Sequence, residues 1–249
     1  MDADKARSPG VFPPTRHSVI ERIRDANPEA RREGFGDLIS GYWKPVYKHL
    51  RMTWRVEPDE ASDLTQAFFA DAIEKAWLER YEPEKARFRT FVRVCVDRFV
   101  MNVRQSAARL KRGGGVTMVP LDFESAEREL AEGQAAPGTE PDAFFHQEFV
   151  RALFDKTVHD LRAEYASSRK PAHFTLFERY DLAPAAGEQG VSYAELGREL
   201  GLTTTQVTNA LAQVRRRFRE RALETLRGLC GSDAEYRREA RELFGIDVE

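Results

Sequence analysis

The chain has 249 residues, with 39 Lys and Arg against 41 Asp and Glu, a formal net charge of −2 and 32% charged residues, the composition of a charge-rich globular protein. No apolar run approaches the about 18 residues of a membrane span, and the opening MDADKARSPGVFPP lacks the apolar core of a signal peptide, so a cytoplasmic protein with no membrane span is expected. Cys95 and Cys230 stand far apart without CxxC spacing or histidine partners, which suits a reducing compartment and offers no metal site.

In chain order, residues 1–17 read as disordered, with Pro9, Pro13 and Pro14 opposing regular structure. A short helix is predicted from about Val19 to Asp25, ended by Asn27-Pro28. Residues 29–53 carry Phe35, Leu38, Ile39, Tyr42, Trp43, Val46, Tyr47 and Leu50 at helical spacing, with Pro45 marking a kink or break. A second helix runs from about Pro58 to Arg80, the loop 81–84 follows, and a third helix runs from about Arg87 to Leu110. Residues 113–142, rich in Gly, Ala, Pro and acids, read as a flexible acidic linker. Helices resume at about 142–168 and 171–182, then as a helix-turn-helix, and the tail 226–249 carries one charged helix around 233–244. The expected fold is all-α: 18–112 and 143–225 form two helical domains, 113–142 joins them and 226–249 is a C-terminal extension.

Charge is sorted along this order. Residues 57–84 hold nine acids against two bases, and 85–112 hold nine bases against one acid. Residues 122–148 return to −7, and 198–221 carry +4. Blocks of alternating sign predict separate binding surfaces, and a chain acidic overall can still bind nucleic acid through local basic faces.

In the acidic helix, Glu60, Asp63, Asp71 and Glu74 fall within about 80° of one face. Ala67 and Ala70 lie on or beside that face, so it is both acidic and flat and fits a closely packed, basic partner helix. In the basic helix, Phe88, Phe91, Val92, Cys95, Val96, Phe99 and Val103 form a stripe suited to burial. Arg89, Arg93 and Arg104 share the opposite side, interrupted by Asp97, while Arg98 and Asn102 lie along another edge. Phe88 and Phe91 fit the core better than a stacking platform. That leaves Tyr81 and the loop up to Arg87 as the candidate pocket for unstacked single-stranded bases.

The stretch SYAELGRELGLTTTQVTNALAQVRRRFRER opens with a Ser192–Glu195 capping box, closes its first helix at Gly201, and repeats the capping box at Thr203–Gln206. Val207, Leu211, Val214 and Phe218 make the apolar stripe of the second helix. The opposite face presents Thr205, Asn209 and Arg216, flanked by Gln213 and Arg219. Short hydrogen-bonding groups near the N-terminus followed by cations match a helix that reads bases first and holds phosphate later.

DEASDLTQAFF, then ARFRTFVRVCVDRFVMNVRQ, then YAELGRELGLTTTQVTNALAQVRRRFRE together resemble a bacterial RNA polymerase sigma factor of the sigma-70 family, extracytoplasmic-function type, over roughly 35–112 and 145–222. The resemblance implies sigma domains 2 and 4, with core RNA polymerase and promoter DNA as partners, no cofactor, and no catalysis by the chain itself. It implies core-polymerase contacts at Glu60, Asp63, Gln66, Asp71 and Glu74. It implies −10 DNA contacts at Tyr81, Arg87, Arg89, Arg93, Asn102 and Arg104, and −35 contacts at Thr203, Thr205, Gln206, Asn209, Arg215 and Arg216. The acidic linker would then follow the path of nascent RNA. The family's usual Asp-Ala-Glu-Asp is here Glu60-Ala61-Ser62-Asp63, so Ser62 stands where an acid is usual. Phosphorylation of Ser62 or Thr65 would restore charge there, and an anti-sigma factor or a Ser/Thr kinase is the implied class of regulator. Two other readings remain: a stand-alone helix-turn-helix regulator, and a DNA-processing enzyme holding a metal through Asp63 and Asp71.

Overall fold

The computed structural model describes residues 18–107, 121–132, 140–168, 170–183 and 191–248, and every element among them is helical. The disorder expected for 1–17 lies outside the described residues. No helix is long and apolar enough to cross a membrane among the described residues.

Helix α1 (Val19–Ile23) starts in a complete Ser18–Glu21 capping box and buries Val19, Ile20 and Ile23. Helix α2 (Pro28–Met52) is capped by Asn27 and runs 25 residues without interruption through Pro45, which sequence alone reads as a break. Proline removes one intrahelical hydrogen bond, but this helix is buried along much of its length, and packing holds the turn together. At Gly41 a Cβ would lie 2.4 Å from a Leu229 methyl, so α2 admits the far end of the chain against its backbone.

Helix α3 (Pro58–Glu74) ends six residues before the expected Arg80. Ala76 takes a left-handed conformation (φ 50°), and Trp77–Arg80 form a 3₁₀ turn. The Trp77 indole N–H donates to Asp71 at 3.0 Å, folding this turn back onto α3. Helix α4 (Phe88–Ala107) follows.

Part of the expected flexible linker is ordered. Helix α5 (Phe123–Glu132) lies on α2, with the Phe123 ring edge-on to Trp43 at 5.5 Å and tilted on Tyr47 at 5.0 Å. Glu127 accepts from Arg51 at 2.6 Å and from the Tyr47 hydroxyl at 2.8 Å. Glu129 accepts from Lys44 at 2.6 Å and from Lys48 at 2.8 Å. The rest of the linker, 113–120 and 133–139, lies outside the described residues.

Helix α6 (Pro141–Ala166) is followed by α7 (Pro171–Phe177), a π turn Glu178–Leu182, α8 (Tyr193–Leu200), α9 (Thr204–Leu229) and α10 (Asp233–Phe244). The described core falls into two clusters. One gathers α1 to α5 with Phe145, Phe149 and Leu153 of α6, Leu226 and Leu229 of α9, and Tyr236 and Ala240 of α10. The other gathers Leu161, Tyr165, Phe174 and Leu176 with Leu196, Val207, Leu211 and Val214. Both α6 and α9, each 26 residues long, therefore begin in one cluster and end in the other. Boundaries at 143 and 225 do not separate the clusters. Lys48 and Glu148, each 1% exposed and 2.6 Å apart, tie α2 to α6 inside the first.

Candidate nucleic-acid interface

The helix-turn-helix is built by local chemistry. Ser192 and Glu195 cap α8 reciprocally, Gly201 ends it at φ 68°, and Thr203 and Gln206 cap α9 the same way. A Cβ on Gly197 would sit 2.6 Å from the Leu202 carbonyl oxygen, so glycine lets the turn close against α8. Val207, Leu211 and Val214 are buried and Phe218 is half-buried, which fixes the rotation of α9.

Thr205, Asn209, Arg216 and Arg219 are exposed on the outer face. Thr205 and Asn209 make no side-chain hydrogen bond to the described residues, and Arg216 reaches only Glu220, at 3.8 Å. Three of the expected −35 contacts, Thr203, Gln206 and Arg215, are engaged within the chain. The Gln206 amide oxygen accepts from the Thr203 backbone N–H and hydroxyl at 2.8 and 3.1 Å, leaving its NH₂ free to face outward. Arg215 departs more clearly: it forms a fork on Asp181 at 2.8 and 3.1 Å and lies over the Tyr180 ring, so it braces the π turn.

The residues expected to take single-stranded DNA divide sharply. Tyr81 is 2% exposed, with its ring against Phe88 and Phe91 and its hydroxyl 2.9 Å from the Ala86 carbonyl and 3.2 Å from Glu235. Burial, reinforced by the Glu235 carboxylate, pushes its phenol well above the usual range. This ring is a core group and not an open base pocket. Arg87 forms a fork on Glu242 at 2.6 and 2.7 Å and also reaches Glu239. Arg89 pairs with Glu239, and Arg93 pairs with Asp97 at 2.7 Å and Asp142 at 2.5 Å. Asp97 is a hub that sequence reading leaves as an interruption. It also receives His49 and the Trp54 indole, each at 2.7 Å, and these bonds outweigh burial in holding its carboxyl below the usual range.

Asn102 and Arg104 remain exposed, Arg104 lying over Trp54 at 5.0 Å. Asn102 borders a groove of about 950 Å³ between the 3₁₀ turn and α4 that sequence reading did not single out. Trp77, Phe91 and Phe99 line it, with Arg80 and Arg98 at its edge; both arginines are exposed and have no carboxylate partner among the described residues. The signal available in sequence was the separate edge formed by Arg98 and Asn102. Cys95 also lines the groove, its thiol pushed up to about 12 by burial and hence protonated at neutral pH.

On α3, Glu60, Asp63, Gln66, Ala67 and Glu74 are exposed, and the three acids have no ion pair with the described residues. Asp71 is tied to Lys75 at 2.5 Å and to Trp77. Ser62 is half-buried and donates to the Pro58 carbonyl at 2.9 Å. Thr65 is fully buried and donates to the Ala61 carbonyl at 2.7 Å, so a phosphoryl group cannot reach it while α3 stays packed. No group of His, Cys, Asp and Glu placed to hold a metal ion occurs among the described residues. No family model, curated protein or solved structure matches the chain.

Proposed function

We propose that the chain is a transcription initiation factor of the sigma type, which binds core RNA polymerase and directs promoter recognition and melting. The observation that carries this reading is the outward face of α9, where Thr205, Asn209 and Arg216 are exposed on a doubly capped helix-turn-helix. Such a face suits the major groove of a −35 duplex, with side chains near the helix start reading base edges and later cations meeting phosphate.

The bare acidic face of α3 supplies a second surface, suited to a basic helical partner such as the polymerase clamp. The aromatic groove beside α4 supplies the third. Trp77, Phe91 and Phe99 offer stacking surface and Arg80 and Arg98 offer phosphate neutralisation, which favours an unpaired −10 strand there over the Tyr81–Arg89 side.

The test is a pull-down of the full chain with bacterial core RNA polymerase, comparing wild type with Asp63→Arg. Retention of wild type and loss of the variant is the expected result. Failure of wild type to bind polymerase while it still binds duplex DNA would favour the stand-alone regulator. The internal pairing of Arg87, Arg89 and Arg93 is the observation on that side.

A further inference from the structure

A helix lying in the major groove, about 12 Å wide, has a phosphate strand on each wall. The two flanks of α9 are built differently. On one, Arg215 is drawn to the π turn, and Tyr193 at the start of α8 packs on Tyr180 with ring centroids 4.7 Å apart. On the other, the segment between α6 and α7 brings Ser168 and Lys170 beside Gln213 and Arg216.

Lys170 Nζ is 3.5 Å from the Gln213 side-chain oxygen and has no carboxylate partner among the described residues. The Arg216 side chain is 75% exposed. Between these groups lies a cleft of about 300 Å³, with the Ser168 hydroxyl at its rim. Two acids also border it: Glu164 is held by other cations, and Glu220 is shared between Arg217 and, at 3.8 Å, Arg216. Glu164 accepts from Arg217 at 2.7 and 2.9 Å and from Arg221 at 2.9 Å, while Glu220 lies 3.4 Å from Arg217. Lys170 is therefore the cation of the cleft with no carboxylate partner among the described residues, and Arg216, 75% exposed and met only by Glu220 at 3.8 Å, is the second one able to turn to an outside anion.

We propose that this cleft holds a backbone phosphate of duplex DNA, on the groove wall opposite α8, with Lys170 and Arg216 as its cations and Gln213 fixing the Lys170 ammonium. The inference rests on the reading of α9 as a duplex-reading helix and extends it to a segment outside the helix-turn-helix. Lys170 belongs to the loop that opens α7, and no motif marks it.

The experiment is fluorescence anisotropy of the full chain with a labelled duplex of mixed sequence, titrated across KCl concentrations. Each phosphate contact contributes about −0.9 to the slope of log affinity against log salt. Lys170→Gln and Arg216→Gln should each flatten the slope by about that amount, and Lys170→Arg should retain it. A Lys170→Gln protein with the wild-type slope, beside an Arg216→Gln protein with a flattened one, overturns the cleft and leaves the α9 reading standing. Weaker binding by Lys170→Gln at unchanged slope also overturns the cleft, because it points to a structural effect. Absence of salt-dependent duplex binding by wild type overturns both.

Discussion

The Glu235 carboxylate accepts the backbone N–H of Phe88 at 2.7 Å, capping the start of α4 from 147 residues away. It also accepts from the Gly231 N–H at 2.9 Å and faces the Tyr81 hydroxyl. At Gly231 a Cβ would fall 2.2 Å from the Tyr81 ring, so the chain after α9 is locked around that tyrosine. Residues 226–244 are thus part of the first cluster, and they order the segment from Tyr81 to Arg89. Glu235→Ala strands these donors, each costing about 1–3 kcal/mol when buried. Urea unfolding should show a clear drop in midpoint, and truncation before Ser232 a larger one. An unchanged midpoint for Glu235→Ala would show that the capping role is wrong.

The Lys48–Glu148 pair makes a separate prediction. Removing Lys48 leaves the buried Glu148 with Arg151 alone, at 2.5 Å, so the loss should fall short of the about 3–5 kcal/mol of a buried charge left wholly uncompensated. Lys48→Met should still unfold at lower urea, and Lys48→Met with Glu148→Leu should recover part of the loss. If the single variant matched wild type, the pair would not be what joins α2 to α6.

The docking of α5 should depend on pH. The Arg51 guanidinium beside Glu127 holds its carboxyl below the ordinary value of 4.5, against the opposing effect of burial. A depressed carboxyl pKa contributes stability that is complete above the unfolded value and is lost as pH falls through the folded one. Amide protection over residues 123–132, relative to intrinsic exchange at each pH, should accordingly fall below pH 4.5, ahead of the rest of the first cluster. Glu127→Gln should show faster exchange already at neutral pH, and equal protection in both proteins would count against the pairing.

Gly197→Ala should act on the second cluster alone. The new methyl would meet the Leu202 carbonyl at 2.6 Å, and relieving such a clash costs about 1–3 kcal/mol. Duplex affinity should fall while amide protection around Tyr42 and Phe88 stays as in wild type. Loss of protection in both places would mean that the clusters unfold as one unit.

Sequence reading succeeded where the determinant is local. The capping boxes of α8 and α9, the left-handed Gly201 and the helix within 233–244 all follow from residues within a few positions of one another. It failed where a partner lies far along the chain. Arg87 and Arg89 look like free cations until Glu239 and Glu242 arrive from α10, and Glu127 and Glu129 look solvated until they meet Lys44, Lys48 and Arg51. A clue was nonetheless present, since Lys44, Lys48 and Arg51 recur at i, i+4, i+7 and form a cationic stripe awaiting acids. Pro45 misled for the same reason: the helix packed most extensively on α2 is α6, about a hundred residues further along the chain.

Because α9 passes unbroken from the second cluster into the first, alongside α6, its residue count helps set the phase between them. Each residue added between Arg216 and Leu226 would advance the Thr205–Asn209–Arg216 face by about 1.5 Å and turn it by about 100° relative to α2. An insertion of one residue would swing that face well away from its present bearing, whereas a full turn of three or four would nearly restore it. This helix should therefore tolerate length changes only near whole turns.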